Sequence, residues 1–364
     1  MDNSKKFILA ENVVIFNNRV DEVRVRRGIW NYEEAIISLD GLTNTMKEIV
    51  NGIMLTLDSG QEIDVDKILE DKRLLQYERD NIETLIIGLK EQGYIKDSEE
   101  SKTTQLLYEL LNGSIQGRFL ENDVYLKPIL FFGDSEDVKS YAVDMCNKMK
   151  LPIHVVSDEE YREIAKMDLT TRFDGYETSK DVKKLVKFIE PYSCIVGGIQ
   201  KLNVSFIRNL NRALIEASKP LSMALIDGPF TTVFTIKPPE TGCFECMEQR
   251  VFARMEDMQV YRRFVENTRD KVVSAKNSYV APLMNSIVST ALFEGLMISG
   301  VGKSKLAGRV LNTYIPIMEI QVEDILRVPF CPACGTIAKA RIEEMYTSTR
   351  KMVDKIIDNI ELKK

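Results

Sequence analysis

Two pairs of cysteines have the spacing of a metal site. Cys243 and Cys246 form one C-x-x-C sequence, and Cys331 and Cys334 form a second. Zn²⁺ is commonly held by four thiolates in a tetrahedron, and each C-x-x-C turn can direct two sulfurs at one ion. Four protein ligands leave no open coordination position. The sequence therefore predicts a structural zinc ion rather than a catalytic one.

The two pairs are separated by residues 247–330, a much longer interval than in a zinc finger, so the ion would join two distant segments. The alternative is four free or redox-active cysteines, but a thioredoxin-like role would explain only one pair. Cys146 and Cys194 lie in apolar patterns, which predicts that both are core residues.

Other residues that could do chemistry are few. His154 is the only histidine, so most hydrolase triads are excluded, and its apolar surroundings predict a core position. The sequence G-K-S at residues 302–304 matches the end of a Walker A motif, but Met297 stands where that motif requires glycine. We interpret this segment as a helix end and a loop.

The second part of the chain has short apolar runs that alternate with helical patterns. This alternation is typical of a parallel sheet covered on both faces. The runs are 129–132, 153–156, 194–196 and 223–226, and the helices are 135–149, 181–189 and 203–217. Residues 231–236 and 310–320 alternate between apolar and polar residues, which favours antiparallel strands. The segment 279–298 is the most apolar long stretch of the chain, but it contains several polar residues. It therefore predicts a buried helix rather than a membrane span.

The first part of the chain predicts a small module of strands followed by helices. The strands are 13–16, 22–26 and 34–38, and the helices are 43–52, 65–75 and 78–92. This order favours a winged-helix-like unit. The predicted domains are the module at 1–96, a linker and bridging helix at 97–124, an α/β domain at 125–340 and a helical tail at 341–364.

Composition limits the possible partners and location. The chain is 44% hydrophobic and 29% charged, as expected of a globular protein, and its net charge of -6 disfavours nucleic acid. The first residues do not resemble a signal peptide, and six cysteines without an export signal suggest a reducing cytoplasm. We therefore expect a cytoplasmic protein with neither a membrane nor a nucleic acid as its partner.

The cysteine-containing segments resemble the E1-like superfamily, which includes ubiquitin-activating enzymes and bacterial sulfur-carrier adenylyltransferases. The matching sequences are PPETGCFEC at 238–246 and PFCPAC at 329–334. The resemblance covers about residues 125 to 340 and implies an E1-like, Rossmann-type parallel sheet domain with a zinc site. Residues 279–298 match a helix that often packs at a dimer interface in that family, which implies a homodimer.

The E1-like nucleotide site is altered in this chain. That fold binds ATP at a glycine-rich turn after its first strand, whereas the corresponding FFGDSED at 131–137 has one glycine. Asp134, Glu136 and Asp137 would repel phosphates and are expected to cap a helix. Asp158 could imitate a ribose-binding acid but is better explained as a surface turn residue. No ATP is therefore expected in this chain.

An E1-like body with an altered nucleotide site and an N-terminal winged-helix module resembles the SagC-type subunit of azole-forming peptide maturation, as in streptolysin S-like toxins. The resemblance implies a leader-peptide recognition element and a YcaO-type partner that uses ATP to cyclise Cys, Ser or Thr of the precursor. A flavin dehydrogenase can belong to the same complex.

In that family the leader adds as an antiparallel strand to the third strand of the element and packs against the third helix. The residues expected here to contact the leader are Glu34, Ala35, Ile36, Ile37, Arg79, Ile82 and Ile86. The apolar helix residues among them could instead belong to the core of the module.

Three functions stay open from the sequence. The first is a non-catalytic leader-binding subunit of a cyclodehydratase. The second is an active E1-like adenylyltransferase that acts on a peptide or sulfur-carrier C-terminus. The third is a structural partner in another peptide-maturation or sulfur pathway. The single glycine at 131–137 favours the first over the second.

Overall fold

Two compact units, Met1–Val124 and Tyr125–Lys364, make up the computed structural model. The structure describes residues 6–10, 13–30, 32–98, 126–167, 169–170, 175–255, 257–269 and 280–335. Nearly all of the predicted linker and bridging helix at 97–124, and the predicted tail at 341–364, lie outside the described residues.

Six short strands in the first unit form two antiparallel sheets. They are β1 (Lys6–Leu9), β2 (Val13–Arg19), β3 (Glu22–Arg27), β4 (Glu33–Ser38), β5 (Ile63–Asp64) and β6 (Ile95–Asp97). One sheet has the order β2–β3–β4, and the other has the order β5–β1–β6. The three predicted strands are confirmed as β2, β3 and β4. Sequence reasoning missed β1, β5 and β6, which at four, two and three residues are too short for a recognisable period.

Three helices complete this module. They are α1 (Asn44–Asp58), α2 (Val65–Leu69) and α3 (Gln76–Glu91). The hydroxyl of Thr43 accepts a hydrogen bond from the Met46 N–H and so caps the start of α1. Both long helices bury residues at three- and four-residue spacing, and these side chains pack with the inner face of β3 to form the module core. The three predicted helices are confirmed, although α2 is shorter than expected.

Seven strands of the second unit form one sheet. They are β7 (Ile129–Gly133), β8 (Ile153–Val155), β9 (Ile195–Ile199), β10 (Leu221–Asp227), β11 (Phe230–Ile236), β12 (Arg309–Tyr314) and β13 (Glu319–Asp324). Their order is β13–β12–β11–β10–β9–β7–β8. The strands β8, β7, β9 and β10 are parallel, and β11, β12 and β13 are added antiparallel.

The predicted α/β class is confirmed, but the sheet is mixed rather than parallel throughout. Only Gly228 and Pro229 separate β10 from β11, and so short a connection can join only antiparallel strands. Gly228 adopts a positive φ of 57° in this turn, which glycine tolerates without strain. The alternating pattern at 231–236 indicated β11 correctly. The single run predicted at 310–320 is instead two strands, β12 and β13, separated by a short 3-10 helix at Ile315–Ile317.

Seven helices accompany this sheet in the described part of the unit. They are α4 (Glu136–Lys148), α5 (Asp158–Lys166), α6 (Gly175–Ile189), α7 (Val204–Ala217), α8 (Phe244–Phe252), α9 (Met258–Thr268) and α10 (Ala281–Val301). On one face of the sheet, Phe132 packs against Tyr161 of α5 and Phe206 of α7. Helices α4 and α10 cover the other face.

Two adjacent glycines let side chains from both faces reach the centre of the sheet. A Cβ on Gly197 would lie 2.3 Å from the sulfur of Met223, and a Cβ on Gly198 would lie 2.7 Å from Val288 of α10. These glycines of β9 are therefore required by close packing.

Among the described residues, α10 is the one helix with the length and apolarity of a membrane span. However, Val288, Ala291 and Leu292 are fully buried against the sheet. A Cβ on Gly295 would lie 2.9 Å from Val196, so the helix approaches β9 closely. These contacts confirm the predicted core helix.

The outermost strand, β13, differs from the rest of the sheet because all six of its residues are exposed. Ile320 and Val322 lie on one of its faces, and Glu319 and Glu323 lie on the other. Its only strand partner among the described residues is β12, so its second edge is open.

Candidate metal centre and peptide-binding edge

The structure brings the four cysteines of the two C-x-x-C sequences together. The sulfur of Cys243 lies 3.8 Å from that of Cys246 and 3.6 Å from that of Cys331, and the Cys246 and Cys334 sulfurs are 3.4 Å apart. All four sulfurs lie within 4.8 Å of one another. Zinc–sulfur bonds of about 2.3 Å in a tetrahedron imply sulfurs about 3.8 Å apart. The cluster therefore has the dimensions of a site for a metal such as zinc.

Tight backbone turns direct these sulfurs inward. Cys243 is the N-cap residue of α8, and the Cys246 N–H donates to the Cys243 carbonyl at 3.1 Å. In the second pair, the Gly335 N–H donates to the Cys331 carbonyl at 3.0 Å. A Cβ on Gly335 would lie 2.5 Å from that same carbonyl oxygen, so the turn requires glycine.

Helix α7 holds both cysteine pairs through one arginine. The Arg212 guanidinium donates to Glu245, inside the first pair, at 2.9 Å, and to the Pro332 carbonyl, inside the second pair, at 2.7 Å. The neighbouring Asn211 accepts from the Phe244 N–H at 3.1 Å. Protein contacts thus fix the relative position of the two turns independently of any ion.

A second ion pair continues this support along α7. Arg208 donates to both carboxylate oxygens of Glu248, at distances between 2.8 and 3.1 Å, and the Tyr261 hydroxyl donates to the same carboxylate at 3.0 Å. Burial raises the pKa of the Glu245 carboxyl, and the adjacent Arg212 acts in the opposite direction. Sequence reasoning missed these residues, although Glu245 and Glu248 stand inside and just after the first cysteine pair.

The surroundings of the cysteines suit metal binding rather than redox chemistry. Cys243, Cys246 and Cys331 are buried. Hydrogen bonds among the four thiols lower the pKa values of Cys246 and Cys331 and raise those of Cys243 and Cys334. In contrast, burial raises the pKa values of Cys146 and Cys194 to about 12. These two thiols are core residues, as predicted.

The turn after β7 is occupied by a carboxylate of the chain itself. Asp134 is buried, and its Oδ2 accepts from the backbone N–H groups of Gln200 and Lys201 at 2.9 and 2.8 Å. Burial raises the pKa of Asp134, and these two bonds act in the opposite direction. Asp134 therefore does not cap the helix, which corrects that prediction. The N-cap residue of α4 is Ser135, whose hydroxyl accepts from the Val138 N–H.

A lysine beside this turn is also held by acids of the chain. The Lys139 ammonium donates to Glu136 at 2.9 Å and also to Asp158. Although burial lowers the pKa of Lys139, these two carboxylates raise it. Asp158 begins α5 with a partly exposed side chain, close to the surface position expected of it. The prediction for His154 was wrong: its side chain is exposed on β8, the outer strand of the sheet, and stacks on Tyr192.

In the first unit, β4 is the outer strand of its sheet, and its register shows which backbone groups face outward. β3 and β4 pair so that Val23 lies opposite Ile37 and Val25 lies opposite Ala35. The Leu39 N–H donates to the carbonyl of Asp21, the residue directly opposite, at 2.8 Å. Because hydrogen-bonded pairs alternate along antiparallel strands, the backbone groups of residues 37, 35 and 33 face β3. Those of residues 34, 36 and 38 face the open edge.

One contact joins the β3–β4 hairpin to the end of α3. The Arg27 guanidinium, at the end of β3, donates to the Gly93 carbonyl just after α3. At the start of α3, Thr43, the N-cap residue of α1, donates to Glu78 at 2.6 Å. These contacts tie α3 to the hairpin at one end and to α1 at the other.

Not all of the predicted leader-binding residues lie on an accessible surface. Ile82 and Ile86 are 0% and 2% exposed, and Ile37 is also buried, so all three belong to the module core. This corrects their assignment as peptide contacts: the same apolar stripe that predicted α3 is what the module needs for its own stability. Arg79 is half-buried and donates to the Asp71 carbonyl at 3.2 Å, which ties α3 to the loop before it.

Exposed aromatic residues near β4 were missed by sequence reasoning. The connection between β3 and β4 exposes Ile29, Trp30 and Tyr32, and the Arg26 guanidinium lies 3.8 Å from the centre of the Tyr32 ring. Large apolar side chains beside a glycine turn were the available signal, because a hairpin loop is normally polar.

Comparison with known structures relates this arrangement to two kinds of protein. The heterocyclase TruD matches 90% of this chain at 12% identity with a TM-score of 0.58. The Escherichia coli protein MccB, in a structure with ATP, matches 90% of this chain at 13% identity with a TM-score of 0.51. MccB in a structure with MccA matches 91% of this chain at 13% identity, also with a TM-score of 0.51. The chain shares their fold.

The matches differ in extent. The chain covers 42% of TruD, so it spans about two fifths of that protein, but it covers 99% of MccB in the structure with ATP. No family model and no curated protein sequence matches the chain.

Proposed function

We propose that this chain is a non-catalytic, leader-peptide-binding subunit of a cyclodehydratase complex. It would present a ribosomal precursor peptide to a separate YcaO-type, ATP-dependent protein that forms azoline rings in bacteriocin or toxin maturation. The N-terminal unit would be a winged-helix-like recognition module at 1–96, and the E1-like, Rossmann-type unit at 125–340 would carry a structural zinc ion.

The observation that carries peptide binding is the open edge of β4. Its backbone groups at Glu34, Ile36 and Ser38 face away from β3, and the hairpin is tied to the end of α3 through Arg27. An extended peptide can add to such an edge through backbone hydrogen bonds, with its side chains providing specificity. Holding the precursor beside the enzyme would raise its effective concentration there.

The absence of catalysis is supported by the turn after β7. The backbone N–H groups of Gln200 and Lys201 bind the carboxylate of Asp134, and Lys139 is paired with Glu136 and Asp158. Groups of this kind could otherwise bind phosphate oxygens. The same acids would repel a nucleotide, so the ATP chemistry is assigned to the partner.

The shared fold supports a division of labour between two proteins. TruD contains a region that this chain does not cover, which is consistent with a separate partner supplying the remaining part of a heterocyclase. We place the chain in the cytoplasm, as a homodimer through the E1-like unit, and expect that a flavin dehydrogenase can join the complex.

A reconstituted reaction tests this proposal. The precursor, the YcaO-type partner and ATP are incubated with and without this chain, and the products are weighed by mass spectrometry. The complete mixture should remove one water per ring, and omission of this chain should slow the loss strongly. If this chain and ATP remove water without the partner, the division of labour is wrong.

The second candidate is an active adenylyltransferase, which the match to MccB with ATP over nearly its whole length favours. Calorimetric titration of the isolated chain with Mg-ATP separates the two candidates. We expect no binding below about the millimolar range. Tight binding, or exchange of pyrophosphate into ATP, would establish the adenylyltransferase instead.

A further inference from the structure

The open edge of β4 has a defined set of side chains beside its outward backbone groups. Along one face of this edge stand Glu34, Ile36 and Ser38 of β4, because alternate residues of a strand share a face. Tyr32, just before the strand, lies on the same face, since its ring packs on Arg26 opposite Glu34. Ile37 lies on the opposite, core-facing side and is buried. A strand that adds to β4 would therefore place every second side chain beside this row of four residues.

Glu34 is the unusual member of this row. Its side chain is only 10% exposed. Its Oε2 accepts from Arg24 at 2.6 Å, whereas its buried Oε1 has no hydrogen-bond partner among the described residues. A carboxylate oxygen that is removed from water without a donor costs free energy.

The neighbouring arginine does not supply the missing donor. Arg26 lies directly opposite Glu34 on β3. Its guanidinium instead lies over the Tyr32 ring and donates to the Ile29 carbonyl at 2.8 Å. The Nε of Arg26 is also buried and has no hydrogen-bond partner among the described residues. A side chain on the other side of β4 could supply the donor that Glu34 lacks.

We propose that the peptide added to β4 carries a lysine or arginine directly opposite Glu34 and an aliphatic residue directly opposite Ile36. This inference rests on the proposed function and gives its peptide site a specificity. Glu34 and Ile36 have outward backbone groups, so each would form a hydrogen-bonded pair with the peptide residue opposite it. The two side chains of such a pair lie on the same face and in contact.

The direction of the added strand sets the order of the two peptide residues. All described strand pairs of this module are antiparallel, and the peptide is assigned the same direction. Read from its N-terminus, it passes Ile36 before Glu34. The expected motif is therefore an aliphatic residue, any residue, and then lysine or arginine. Ile36 is 59% exposed, so an aliphatic side chain beside it would remove apolar surface from water.

Selection from a displayed library of random linear peptides on the full-length protein tests this motif. Wild-type protein should enrich peptides with an aliphatic residue two positions before lysine or arginine. Enriched peptides without this motif, or with the reverse order, would overturn the inference while leaving peptide binding intact. If no peptide is enriched, the proposed function fails instead.

A double-mutant cycle then assigns the contact to Glu34. With a selected peptide, Glu34→Gln should weaken binding about fivefold, the upper range for an opposite-charge pair across strands. Replacing the lysine or arginine of the peptide by glutamine should weaken its binding to the wild-type protein by the same factor. The same replacement should not weaken binding to the Glu34→Gln variant further, because the contact is already absent there.

Glu33 provides the matched control, because this adjacent carboxylate is 61% exposed and lies on the other face of β4. Glu33→Gln should leave the affinity unchanged. Additive losses in the cycle, or an equal loss with Glu33→Gln, would overturn the inference. If Glu34→Gln does not fold, the library result with wild-type protein still decides the question.

Discussion

The four-cysteine cluster and the outer edge of β4 would hold their ligands by different means. The cluster uses the side chains of four particular cysteines, and Arg212 from the adjacent helix fixes its two turns. The edge uses backbone N–H and C=O groups that any sequence can supply. The specificity of this edge therefore depends on a few neighbouring side chains. A single substitution should weaken peptide binding at the edge less than it weakens metal binding at the cluster.

The largest effect is expected at the cluster. Cys331→Ser should abolish binding of about one zinc ion per chain and lower the free energy of unfolding by several kcal/mol, because a structural ion contributes its binding energy to folding. Metal analysis and urea denaturation measure the two effects.

Cys146→Ser is the matched control, since it makes the same replacement at a buried thiol outside the cluster. It should keep the zinc. Wild-type protein that contains no zinc after purification without chelators would refute the metal site.

A smaller effect is expected from the protein contacts around the cluster. Arg212→Met removes one partner of a buried ion pair and should lower the free energy of unfolding by about 3–5 kcal/mol, while the zinc content stays at one. The double variant Arg212→Met/Glu245→Met should recover much of this loss, because no uncompensated charge stays buried. Equal stability of the single variant and the wild type would show that the metal alone fixes the two turns.

At the β4 edge, replacement of an outward N–H should affect binding more than folding. Ile36→Pro removes an outward donor and should weaken binding of a selected or leader peptide about tenfold, or about 1.4 kcal/mol. Fluorescence anisotropy measures the affinity, and circular dichroism checks the fold.

Two variants separate the backbone from the side chain at this position. Ile36→Ala keeps the N–H and should weaken binding less than Ile36→Pro. Ala35→Pro breaks a bond to β3 and should mainly destabilise the module. Normal peptide affinity of folded Ile36→Pro would refute strand addition at this edge.

The smallest effect concerns Asp134, the buried acid in the turn after β7. Burial raises its pKa above the ordinary value of 3.8. As pH rises from this value through the raised pKa, the unfolded chain loses its proton before the folded protein does. The folded protein therefore loses stability relative to the unfolded chain.

Asp134→Asn should remove this contribution. The stability of the wild type relative to the variant should therefore fall as pH rises from about 4, by at most about 1.4 kcal/mol per pH unit. Urea denaturation of both proteins across this range measures the difference. Parallel pH profiles would contradict the raised pKa.

The sequence predicted the regular elements and the cysteines well. The strands and helices that carry long apolar patterns, such as β7, α7 and α10, were recognisable because their periods extend over enough residues. The cysteine cluster was recognisable because its ligands are rare and closely spaced within each pair. Arg212 could not be assigned to this site, since an arginine on a helix is usually solvated and only the fold brings it near both turns.

The exposure of a residue was harder to predict where it depends on which neighbouring strands and helices cover that residue. His154 lies in an apolar run, but it is exposed because β8 is the outer strand of its sheet. Ile82 and Ile86 share a stripe with the core residues of α3, and periodicity alone does not separate a core from a groove. The outward backbone groups of β4 are set by its pairing with β3, which one strand's sequence does not reveal.

The open strand β13 has a consequence for the behaviour of the chain in solution. An unpaired edge that carries Ile320 and Val322 could pair with the same edge of a second copy. If two copies pair antiparallel with Ile320 opposite Val322, Glu319 of each copy stands opposite Glu323 of the other. These like charges oppose such pairing, and salt screens the repulsion between exposed charges. High ionic strength should therefore promote association of the protein into dimers.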